Sequence, residues 1–102
     1  MKSLAPVLAL SLTIVAPTHA ADANLARNLA ATCSGCHGTN GHSTGGMASL
    51  AGVPQQTLMQ KLRAFKSGEL PATIMHQIAK GYSDEQLSLI TAYFAGIDDR
   101  QP

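Results

Sequence analysis

Residues 33–38 read CSGCHG. They contain both cysteines of the chain, spaced C-x-x-C, with His37 directly after the second. Such a stretch serves one of three chemistries: a redox dithiol, part of a zinc site, or a point of haem attachment. Each demands a different architecture around it, so the rest of the sequence decides among them.

A redox dithiol works at a helix start beside a strand, in a βαβ setting that lowers one thiol pKa. No stretch here alternates with period two for long enough to make a strand, and the chain contains no tryptophan. A closed zinc site needs a fourth ligand and normally a second pair of ligands. Beyond residue 20, His42 and His76 are the only other histidines, and no second knuckle exists. Haem attachment needs only what is present. Two thiols three residues apart add to the two vinyl groups of one porphyrin, and the adjacent His37 offers its ring to the iron.

The N-terminus agrees with this. Lys2 is followed by an apolar run over 4–16 and then by Pro17-Thr18-His19-Ala20. A positive start, a short apolar stretch and small residues at its end describe a secretory signal peptide, with cleavage expected after Ala20. The apolar run is short for a membrane span, so no stable membrane insertion is expected once the leader is cut. Haem attachment in bacteria takes place outside the cytoplasm, which makes the periplasm the expected location. The mature domain is then 21–102, a marginal size for a core without a staple. A Cys33–Cys36 disulfide would close a tiny loop and constrain little. A covalently held haem would fill such a core.

Four helices are expected. The first covers about 23–32, where Leu25 and Leu29 stand four apart and Ala26 and Ala30 leave a thin face for a close neighbour. A glycine-rich loop follows over 39–52, long enough to wrap something. The second helix, about 55–67, carries Leu58, Leu62 and Phe65 and stops at Gly68. Pro71 opens a third, to about 80. Ser83 with Gln86 forms a capping-box pattern for the last, whose buried stripe is Leu87, Ile90 and Phe94, with Tyr93 alongside. The fold class is all-α.

Charge is uninformative in sum. Without Lys2, six basic residues face six acidic ones, which argues against a nucleic-acid partner. Lys61, Arg63, Lys66 and Lys80 could form a basic rim toward a redox partner.

On these residues the chain resembles the class I c-type cytochromes, in which a helix before the haem motif crosses a C-terminal helix carrying aromatics. That family also places a methionine between motif and last helix, as the second axial ligand on the opposite haem face. Met47, Met59 and Met75 are available. Met47 lies ten residues past His37 in the glycine-rich loop, and Met59 reads as a gap-filling core residue. Met75 lies 38 residues past His37, enough chain to pass round the haem edge. Its segment, MHQIAKGYSDEQ, resembles the ligand segment of small bacterial cytochromes; His76 beside it offers a bis-histidine alternative, with a solvent-facing side chain the commoner case.

The stretches CSGCHGTNGHSTG and FKSGELPATIMHQIAKGYSDEQLSLITAYFAG resemble the cytochrome subunit of flavocytochrome c sulfide dehydrogenase. By that resemblance Cys33 and Cys36 bind one haem c covalently, and His37 and Met75 are axial ligands to its iron. It implies single-electron transfer from an FAD-containing, sulfide-oxidising flavoprotein subunit, with the chain supplying no catalytic residue of its own. A free-standing carrier to an oxidase or other redox protein is the alternative. A haem-based ligand sensor is a third reading, and it would need Met75 absent or labile. Relatives often carry Gly-Pro where this chain has Gly45-Gly46-Met47. A proline carbonyl there commonly accepts a hydrogen bond from the axial histidine, and a glycine carbonyl could serve in its place.

Overall fold

The computed structural model describes residues 1–2, 11–15 and 20–100. The expected leader, 1–20, lies mostly outside them. The described residues form five α-helices and no strand: α1 (Ala20–Ala31), α2 (Ser34–His37), α3 (Gln55–Ser67), α4 (Met75–Lys80) and α5 (Asp84–Ala95). A 3-10 turn, Thr39–Gly41, follows α2. None of these helices is long and apolar enough to cross a membrane.

The frame is α1 packed on α5, with α3 laid against α5 and α4. Ala30 is buried on α1, Leu58 and Met59 on α3, and Leu87, Ile90 and Phe94 on α5; these six form one cluster. The alanine face of α1 does meet a neighbour closely, as its composition implied. Leu25 departs from the expectation and stays 47% exposed. The stripe facing α5 passes through Ala26, Leu29 and Ala30, and one step along a helix turns a side chain by about 100° away from it. Met59 is core, at 5% exposure.

The helix ends follow local chemistry. Gly68 closes α3 in the left-handed region, φ 86°, where a Cβ is costly. Ser83 accepts a hydrogen bond from the Gln86 amide at 3.2 Å, and the Gln86 side chain accepts from the Ser83 amide at 2.9 Å. That is a complete capping box on α5. Ser83→Ala is expected to cost about 1 kcal/mol, read as a lower thermal midpoint of the haem-loaded protein. An unchanged midpoint would show that the cap contributes nothing.

α4 is shorter than expected. It begins at Met75, because Ile74 has a non-helical backbone (φ −138°, ψ −26°) and 71–74 run irregularly. Pro71 therefore starts a wrapping segment, and no helix forms until Met75.

The glycine-rich stretch is folded on itself. The amides of Leu50 and Ala51 both donate to the Gly41 carbonyl, at 2.8 and 3.2 Å, and Gly52 donates to the Phe94 carbonyl at 2.9 Å. Gly41 has φ 78°, and a Cβ there would stand 2.8 Å from Phe94 Cδ1. Only glycine lets the loop neck press this closely on α5. The loop is thus fastened to the last helix at its base, leaving 42–49 to reach round the CSGCHG turn.

Candidate functional site

The motif CSGCH is a helical turn in its own right. Cys33 precedes α2, and the amide of His37 donates to the Cys33 carbonyl at 2.9 Å. Cys33 is half-buried and packs against the core cluster, while Cys36 is exposed. Both thiols are free. Burial pushes the Cys33 thiol up, and a hydrogen bond involving Thr32 opposes this. A redox dithiol requires the reverse, a thiol pulled down by a helix start or a nearby cation. Among the described residues no group of three metal-ligating side chains assembles around the motif.

His37 is half-buried, and its Nδ1 lies 2.6 Å from the carbonyl oxygen of Ala48. A carbonyl only accepts, so Nδ1 carries the proton and Nε2 keeps its lone pair. Axial histidines are oriented in this way, by a backbone carbonyl on the other ring nitrogen. The acceptor is Ala48, two residues past Gly46, so neither a proline nor a glycine carbonyl serves here. Sequence reasoning missed it because a carbonyl belongs to every residue type and leaves no compositional signal. The loop holds Ala48 in place partly through Ser43, whose amide donates to the neighbouring Ser49 hydroxyl at 3.0 Å.

Met75 is half-buried at the first position of α4. Met47 lies in the loop at 54% exposure. His76 is half-buried, contrary to its expected solvent-facing position; its Nδ1 is buried and has no partner among the described residues. Several large apolar side chains near these positions in sequence remain uncovered, including Ile74 at 51% and Ile78 at 37%. Paired thiols on one turn, an imidazole with Nε2 free, a thioether on a separate segment and uncovered apolar side chains together suit a large, flat, apolar prosthetic group bound through iron. Asn40 accepts from the Tyr93 hydroxyl at 2.9 Å and so ties the turn after the motif to α5.

Residues 23–98 match the cytochrome c family. The chain belongs to that family. Haem c, with its iron, is therefore the cofactor, and this cytochrome c is an electron carrier by family.

Among its relatives, this cytochrome is 36% identical over 72 residues to the cytochrome subunit of sulfide dehydrogenase of Chlorobaculum tepidum, covering 71% of this chain and 66% of the relative. It is 34% identical over 97 residues to cytochrome c4 of Pseudomonas aeruginosa, covering 93% of this chain and 48% of that one. It is 31% identical over 80 residues to cytochrome c-554(548) of Halomonas halodenitrificans, covering 74% and 96%. The chain thus spans less than two thirds of the first two relatives.

Proposed function

We propose that residues 21–102 form an exported periplasmic monohaem cytochrome that receives single electrons from an FAD-containing, sulfide-oxidising flavoprotein subunit. Residues 1–20 are its leader. The observation that carries the electron-transfer reading is the His37–Ala48 bond, which leaves Nε2 alone to face a metal. The partner reading rests on similarity to a cytochrome subunit of sulfide dehydrogenase.

Cys33 and Cys36 would hold the haem covalently, and His37 and Met75 would ligate its iron. The haem supplies one-electron chemistry at its iron. The protein's part is to orient and to tune. Ala48 fixes the His37 tautomer and ring plane. A thioether from Met75 paired with the His37 imidazole would favour the ferrous state and raise the potential relative to two imidazoles. With side chains filling the iron's coordination, exogenous ligands would be kept out.

The docking surface is formed by the loop 45–52 and the segment 71–80. Both are poor in charge, and Met47, Ile74 and Ile78 are exposed on them. An obligate subunit interface is more apolar than a transient one. Lys61, Arg63 and Lys80 are exposed and would lie at most at its rim. Lys66 is taken up elsewhere, donating to the Tyr82 carbonyl at 2.7 Å.

Gel filtration of the haem-loaded protein with the flavoprotein, at low and high salt, tests this. A complex that survives moderate salt is expected, with haem reduction on adding sulfide. Association that collapses as salt screens it, or haem that sulfide and flavoprotein fail to reduce, would favour the second reading. That second reading is a free-standing carrier, supported by the near-complete coverage of cytochrome c-554(548).

A further inference from the structure

The segment carrying Met75 is weakly specified by itself. α4 has six residues, and no side chain caps its start at Ile74. A helix that short has no independent stability, so its position is set by what ties it to the rest. Upstream, the Leu70 amide donates to the Ala64 carbonyl of α3 at 3.1 Å; the fastenings that follow Met75 are these. Ala79 is fully buried, in a helix laid against α3. Beyond it, Tyr82 is held at two points. Its carbonyl accepts from Lys66 Nζ at 2.7 Å, fixing it to α3. Its hydroxyl lies 2.7 Å from Thr32 Oγ1, across 50 residues of sequence.

The direction of that second bond follows from proton count. Thr32 Oγ1 also donates to the Leu29 carbonyl at 3.0 Å. A threonine hydroxyl has one proton, so toward Tyr82 it accepts and the phenol donates. Thr32 is the residue immediately before Cys33. The contact therefore joins the segment bearing Met75 directly to the turn bearing Cys33, Cys36 and His37. The Tyr82 ring also packs against the core cluster, which limits its freedom to swing away.

We propose that Tyr82 is a positioning residue for the axial methionine: its phenol, seated on Thr32, clasps the Met75 segment to the haem-attachment turn. This rests on the assignment of Met75 as a ligand. Without the bond, α4 is free to open more often, and the sulfur–iron contact opens with it.

The test is imidazole binding to the ferric, haem-loaded protein, followed with the sulfur-to-iron absorption band. An outside ligand binds only when the sixth position is vacated, so its apparent affinity scales with the open fraction. Tyr82→Phe and Thr32→Val each remove one partner of an exposed hydrogen bond, which predicts apparent imidazole affinity higher by about threefold. The double variant should match either single one, because both remove the same contact. Gln55→Ala is the control. It deletes the 3.1 Å bond from Gln55 to the Ser88 carbonyl, which joins α3 to α5 and involves neither Thr32 nor Tyr82, and should leave imidazole affinity unchanged. Wild-type affinity in Tyr82→Phe and Thr32→Val, or an equal rise in Gln55→Ala, overturns the clasp. A wild-type protein without the sulfur band overturns the Met75 assignment itself, and the clasp with it.

Discussion

In the double variant Cys33→Ser/Cys36→Ser, exported and matured, no haem is expected to remain with the chain after denaturation. The two thiols are the only ones in the sequence, and thioether bonds have no other source. Mass spectrometry should show the wild-type chain heavier by one haem under denaturing conditions, and the variant at its bare polypeptide mass. Each single variant retains one thiol and should carry haem through one bond, in lower yield. Burial raises the pKa of Cys33, so the thiol form persists to higher pH than in an ordinary cysteine. That disfavours the thiolate-driven exchange on which a redox dithiol depends. Free thiols in the matured wild-type protein, or haem retained covalently by the double variant, would sink the assignment.

Met75→Ala should abolish the sulfur-to-iron band of the ferric protein and lower its reduction potential. The thioether is removed from a position that no neighbouring side chain matches in kind. Met47→Leu should leave both properties as they are, since Met47 is a surface loop residue at 54% exposure. Met59→Leu is the more demanding comparison, because Met59 is buried in the core cluster. A volume-conserving swap there should cost less than about 1.5 kcal/mol and keep the band. Visible spectroscopy and a potentiometric titration on the three variants separate these outcomes. Retention of the band in Met75→Ala, with its loss in Met47→Leu or Met59→Leu, would transfer the ligand assignment to that residue. His76 sharpens the experiment. Its Nδ1 is buried and unpartnered among the described residues, and this imidazole follows Met75 directly in sequence. A Met75→Ala protein that turns to a two-imidazole spectrum would identify His76 as the replacement.

What the sequence determined here is mostly what residue type and spacing can encode. CSGCHG carries its chemistry in three side chains whose neighbours in sequence are also neighbours in space, because the motif is one helical turn. The stripe Leu87, Ile90, Phe94 and the Ser83/Gln86 cap are likewise local, since an α-helix brings i, i+3 and i+4 together whatever surrounds it. The tertiary structure decided four other things. It chose the Ala48 carbonyl as the partner of His37, through a loop whose neck closes at Gly41 and presses on Phe94. It delayed α4 until Met75, because 71–74 follow the surface they wrap, and Pro71 permits a helix without compelling one. It joined Tyr82 to Thr32 and left Leu25 exposed although both leucines of α1 share a helical spacing. These outcomes depend on backbone groups and on contacts between residues far apart in the chain. A backbone carbonyl looks alike at every position, and a contact across 50 residues exists only once the helices have packed.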